Sequence, residues 1–132
     1  MILDTSAVIA ILQLEPEAAS FAQAVQTLRP VRISAANWLE AAVVVDGNRS
    51  PGLSRRFDQF IRVAGVAIEP VTSRQAEVAR EAYKAYGRGS GHPAHLNFGD
   101  CFAYALALEH DEELLFKGKD FAHTDVRRVE AV

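Results

Sequence analysis

Short apolar runs alternate with longer stretches of helical spacing along nearly the whole chain, and this alternation limits the possible folds more than any other feature. Residues 1–4 (MILD) form an apolar run closed by an acid, and residues 5–14 (TSAVIAILQL) follow with apolar positions at helical spacing and Thr or Ser available as a cap. Further strand-like runs occur at 31–34 (VRIS), 66–68, 114–117 (LLFK) and 126–132. Helical patterns occupy 15–28, 35–46, 53–64, 73–86 and 98–110. Each parallel crossover needs a connecting helix, so the pattern predicts an α/β fold: a three-layer α/β/α sandwich with a mainly parallel central sheet. In such sheets ligands bind outside the carboxyl ends of the strands.

The helices carry local signals. Pro16 is tolerated in a first turn, and Ala18, Phe21, Ala22, Val25 and Leu28 form one stripe. Residues 35–46 read as a mostly buried helix, and Leu53, Phe57, Phe60, Ile61 and Ala64 share one side of the next. Ser73 is a candidate cap for 73–86. Residues 47–52 read as a loop, and 87–97, with three glycines and a proline, as a mobile one. At 132 residues the chain fits a single domain, 1–132, and its 49% hydrophobic and 23% charged residues are those of an ordinary globular protein.

The lone cysteine, Cys101, forms no intrachain disulfide, and the first residues read as a strand rather than a leader, which points to the cytoplasm. No apolar run approaches the ~18 residues of a membrane span. The net charge of -3 excludes a protein that holds nucleic acid mainly through a basic surface. Any RNA contact must be local.

Four acids stand out. Asp4 ends the first predicted strand, at the ligand-binding edge, and could equally cap the following helix. Glu40 lies within AANWLEAAVVV, with Ala36, Val43 and Val44 as helical neighbours, so burying it ionised would call for a cation or partner. Asp100 falls in the first turn of a helix that Asn97 can cap, where an anion is favoured, and Gly99 beside it leaves room for close approach. Asp120 lies just past 114–117, in a loop where an Asp is also an ordinary turn residue. Brought together, the four would repel one another by roughly 4 kcal/mol per pair at 4 Å and an effective dielectric of 20. Hard oxygen ligands of this kind select Mg²⁺ or Mn²⁺, and the chemistry that uses them is phosphodiester cleavage.

The motifs MILDTSA (1–7), NWLEA (37–41), LNFGDCFAYALA (96–107) and LLFKGKDFAHTDV (114–126) occur in the order found in PIN-domain ribonucleases, and the chain resembles the VapC toxins of prokaryotic toxin–antitoxin pairs. The resemblance covers essentially the whole chain. It implies a metal-dependent endoribonuclease with Asp4, Glu40, Asp100 and Asp120 around Mg²⁺ or Mn²⁺, and Thr5 or Ser6 supporting Asp4 by hydrogen bonding. It also implies water attack leaving a 5′-phosphate, a VapB-type antitoxin that covers a groove, and a homodimer. Phe21, Val25, Phe57 and Phe60 could supply such surfaces, with core packing the plainer reading for most of them.

Lys117 and Lys119 flank Asp120 and are candidate phosphate contacts. Arg80, Lys84 and Arg88 recur at helical spacing, but Glu77 and Glu81 beside them favour a solvated, salt-bridged face. His92 and His95 read as loop residues and Trp38 as core. A haloacid dehalogenase-type phosphotransferase would need an acid where Ser6 stands, and a receiver domain would need an Asp after the third strand, where the chain has Ile68-Glu69-Pro70. The alternative from another class is a catalytically silent module that grips RNA or a protein. A complete acid quartet argues against it, because such acids repel phosphate.

Overall fold

The structure is a computed structural model and describes residues 1–130. Four short strands, β1 (Ile2–Leu3), β2 (Arg32–Ser34), β3 (Ala67–Glu69) and β4 (Leu114–Leu115), form a sheet in the order β3-β2-β1-β4, with every pairing parallel. Ile2 is in register with Arg32 and Leu114, and Leu3 with Ile33 and Leu115. Six helices connect and cover them: α1 (Thr5–Leu12), α2 (Ala18–Thr27), α3 (Ala35–Gly47), α4 (Pro51–Val63), α5 (Ser73–Tyr86) and α6 (Phe98–His110).

The pleat sends alternate strand residues to opposite faces, and the core divides accordingly. Leu3, Ile33 and Leu115 join buried residues of α1 to α4, among them Val8, Val25, Val45 and Phe57. Ile2, Leu114 and Phe116 join those of α5 and α6, including Ala79, Tyr104 and Leu106. Strands buried on both faces read as continuous apolar runs, as parallel strands do. The expected three-layer arrangement is present.

Several boundaries differ from the sequence-based expectation. α1 stops at Leu12, and Leu14, with φ of 53°, lies 81% exposed in the turn that follows. α2 starts only at Ala18, and Leu28 is exposed past its end. α4 begins two residues early because Pro51 takes the first helical position behind a Ser50 cap, where its missing N–H is harmless. Thr72, not Ser73, caps α5, its hydroxyl accepting from Gln75 N. β3 is shifted by one residue and its Ala67 and Ile68 are exposed. The expected last strand reduces to one parallel bridge between Leu114 and Arg128, and its final residues, 131–132, lie outside the described residues. The ends of the 87–97 loop are tied together, with Arg88 N donating to Leu96 O and Leu96 N to Tyr86 O, and Ala94 and Leu96 buried. Trp38 is half-buried against Phe57, and Cys101 is buried.

Candidate metal centre

Asp4 directly follows β1, its N–H donating to Leu115 O of β4, so the sheet itself sets its position. Its Oδ2 accepts from Ser6 N at 3.0 Å and Ser6 Oγ at 2.5 Å, which caps α1 and orients the carboxylate at once. Asp100 occupies the first turn of α6 in a reciprocal capping box: Asp100 N donates to Asn97 Oδ1, and Asn97 N donates to Asp100 Oδ2. Both aspartates are buried, at 4% and 8% exposure. For these two residues the capping role and a place in the site coexist.

Glu40 corrects the expectation of a buried acid. α3 is buried along one face only, and Leu39, Val43 and Val44 are exposed beside an exposed Glu40. Its position rests on neighbours rather than burial: Thr5 Oγ1 donates to Glu40 Oε1, and a Cβ placed on Gly99 would collide with Glu40 Oε2 and come within 2.9 Å of its Cδ. The missing side chain at Gly99 lets Glu40 lie against the start of α6. The Thr5 hydroxyl therefore serves Glu40, and of the two hydroxyls it is that of Ser6 that supports Asp4.

Asp120 opens a short 3₁₀ helix (Asp120–His123) and is exposed, with its carboxyl within hydrogen-bonding reach of Asp100. All four acids line one cleft of about 270 Å³ at the carboxyl end of the sheet, with Thr5, Ser6, Asn97 and Lys117. Lys119 is exposed in the same loop and does not line it. His92 caps its own turn, Nδ1 accepting from Ala94 N, and packs edge-on against Tyr86, apart from the cleft. Lys84 pairs with Glu81, as a salt-bridged face requires.

The electrostatics follow from this crowding. Burial pushes the Asp4 carboxyl up to about 6, against the pull of the Ser6 hydroxyl and amide, and the Glu40 charge adds to the rise. Burial likewise pushes Asp100 up to about 7, opposed by the Asn97 amide and reinforced by the charges of Asp4 and Asp120 and a hydrogen bond with Asp120. Ionising the cluster at neutral pH is unfavourable without a cation. Among the described residues no three His, Cys, Asp or Glu side chains are gathered closely enough to cage an ion by themselves. The acids instead rim an open cleft, and an all-carboxylate donor set of that kind fits Mg²⁺, which keeps several waters and takes one or two carboxylates together with phosphate oxygens.

The family model of the PIN domain matches residues 1–127. Over 128 residues the chain is 55% identical to ribonuclease VapC28 of Mycobacterium tuberculosis, covering 97% of this chain and 96% of that protein. The chain belongs to the VapC ribonucleases of the PIN-domain family. Ribonuclease VapC42 of the same organism is 45% identical over 127 residues, covering 96% of this chain and 97% of that one. The fold is similar to the crystal structure of M. tuberculosis VapC20, a sarcin–ricin loop-cleaving toxin, with a TM-score of 0.72 at 16% identity over 98% of both chains. It is also similar to a toxin–antitoxin complex from Klebsiella pneumoniae, with a TM-score of 0.69 at 21% identity over 94% of this chain and 92% of that one.

In this VapC-family chain the structure gives two residues roles that the sequence pattern did not assign. Asn37, buried at 1% exposure, donates from Nδ2 to Gly99 O at 3.0 Å and so ties α3 to the start of α6. A polar side chain three residues before Glu40 in an apolar helix is the signal that could have found it. Lys117, a candidate phosphate contact, has its ammonium 2.8 Å from Glu15 and 3.3 Å from Glu17. Neither glutamate is near it in sequence, so only the fold reveals the pairing.

Proposed function

We propose that this chain is the toxin of a toxin–antitoxin pair, an endoribonuclease that hydrolyses RNA phosphodiester bonds with a divalent metal ion held by Asp4, Glu40, Asp100 and Asp120. The observation that carries the reading is the convergence of four carboxylates, from the cap of α1, the interior of α3, the first turn of α6 and the start of the 3₁₀ helix, onto one cleft in a chain of the VapC family. Asp4 and Asp100, fixed by their capping bonds, are the surest direct ligands. Glu40 and Asp120, more exposed, suit a second ion or the positioning of the attacking water. Mg²⁺ or Mn²⁺, when bound, supplies a Lewis acid for the phosphoryl oxygens and acidifies water. The protein's own part is to set that charge cluster: Ser6 aims Asp4, Asn97 aims Asp100, and Thr5 and Gly99 fix Glu40. Water attack on the phosphate leaves a 5′-phosphate and a 3′-hydroxyl.

An antitoxin of the VapB type is the proposed partner, with the toxin working as a homodimer in the cytoplasm. No helix of the described residues is long and apolar enough to cross a membrane. Val25 and Phe57 are core residues, with Phe21 and Phe60 packed partly against them, so the core reading holds for most of that set. A cleft of about 350 Å³ between α1, α2 and α4, bordered by Val25, Phe60, Arg29 and Arg56, is left for a partner side chain. Purified protein should cleave structured RNA with Mg²⁺ or Mn²⁺, should stop when a chelator is added while remaining folded, and should be inactive as Asp4→Asn. Equal cleavage by both proteins would expose a contaminating nuclease.

A further inference from the structure

A lysine ammonium carries three N–H donors; in Lys117 one donates to Glu15, and Glu17 lies beside the same ammonium as an ion pair. Nζ lies 2.8 Å from Glu15 Oε1 and 3.3 Å from Glu17 Oε2, both in the turn between α1 and α2. Lys117 lines the acid cleft, and neither glutamate does. Its backbone is fixed from the other side, Lys117 N donating to Ser6 Oγ at 2.9 Å, and Ser6 Oγ donating in turn to Asp4 Oδ2. The residue is therefore anchored at both ends, through Ser6 to a cleft carboxylate and through its ammonium to two others outside the cleft.

This arrangement has two physical consequences. A free lysine loses much rotamer freedom when it grips a phosphate, whereas one already held in place loses little. One ammonium between two carboxylates also leaves the group with a net negative charge, so it does not attract RNA from a distance and acts only in contact. That agrees with a chain of net charge -3 whose RNA recognition has to be local.

Building on the reading that RNA is cut in this cleft, we propose that Glu15 and Glu17 are positioning residues, which hold Lys117 so that a remaining N–H of its ammonium meets a phosphate oxygen of the RNA. The glutamates do not touch the substrate. Lys119, outside the cleft, has no such role.

The test uses cleavage of a short single-stranded oligoribonucleotide in Mn²⁺, and fluorescence anisotropy of the same RNA with Ca²⁺ to read binding without relying on turnover. Lys117→Met should raise KM and Kd about tenfold, the size expected for one lost charge-assisted hydrogen bond, and Lys117→Arg should recover most of it. The Glu15→Gln/Glu17→Gln double variant should raise KM about threefold to fivefold with kcat within about twofold, and should add nothing further in a Lys117→Met background. Glu15→Gln alone, which weakens the shorter contact, decides the matter if the double variant does not fold. An unchanged KM with a lowered Tm, or an effect that adds fully to that of Lys117→Met, would show a purely structural latch and overturn the proposal. A lowered KM would overturn it in the opposite sense, with the glutamates competing against phosphate. If the wild-type protein cuts no RNA, the nuclease reading fails by itself. The anisotropy then still decides: the same pattern of Kd values upholds the Lys117 proposal, and an unchanged Kd in Lys117→Met defeats it.

Discussion

The two ends of the same short sheet handle charge in opposite ways. At the amino end, Glu112 lies between cations, 2.5 Å from the Met1 ammonium and 3.0 Å from Arg32, which also reaches Glu69 at 3.0 Å. Burial pushes the Glu112 carboxyl up, but hydrogen bonds from the ammonium and Arg32 outweigh it and hold the group below its ordinary value. At the carboxyl end, four acids share a cleft whose one lysine is occupied by other glutamates, and Asp4 and Asp100 rise to about 6 and about 7. One end is internally neutralised and structural. The other keeps an unbalanced negative charge of the kind a divalent ion can satisfy.

Breaking the cleft should have the largest effect. Asp100→Asn should lower kcat by about 10³-fold, since the Lewis-acid contribution is several kcal/mol and each 1.36 kcal/mol is tenfold. Glu112→Gln should leave kcat within about twofold. A single-turnover assay at saturating Mn²⁺ compares them, and equal losses in both would erase the distinction between the two ends.

Stability should respond with the opposite sign. A carboxyl whose folded pKa is raised binds more protons folded than unfolded, so its contribution to stability falls as pH rises from about 4 to about 6. In chelator at pH 8, Asp4→Asn should therefore be more stable than wild type, by up to about 3 kcal/mol for a shift of about two units, and the gap should close near pH 4. Urea unfolding at both pH values reads this. A variant less stable than wild type at pH 8 would mean that the Asp4 charge is already compensated.

Gly99→Ala changes the acid cleft at a single contact. The added methyl displaces Glu40, and kcat should fall about tenfold or more, as for residues that orient metal ligands, with Tm little changed. The smallest effect belongs to the amino end, where Glu112→Gln should cost about 1 to 2 kcal/mol of stability above pH 5 by uncoupling it from Met1 and Arg32.

Much of this was readable in the sequence because the relevant physics is local. The parallel sheet follows from strand–helix alternation, and Asp4 and Asp100 follow from a strand end and an Asn97 cap, both set within four residues. For Glu40 the apolar neighbours predict burial, yet Val43 and Val44 face outward, since one-dimensional hydrophobicity does not say which flank of a helix is covered. Gly99 signals a close approach in the sequence, but what approaches it, Glu40, lies 59 positions away. The Lys117 pairing with Glu15 and Glu17 and the reduction of the last strand to a single bridge depend on tertiary placement, which no local pattern encodes.

Whether these four acids hold a divalent metal ion is decided by calorimetric titration of Mn²⁺ into the wild-type protein, the Asp4→Asn/Asp100→Asn double variant and Glu112→Gln across pH 5.5 to 8. Metal should bind wild type and Glu112→Gln alike, weaken as pH falls through about 7 and 6 because protons compete for Asp100 and Asp4, and fail to bind the double variant. Undiminished binding to the folded double variant would contradict the account.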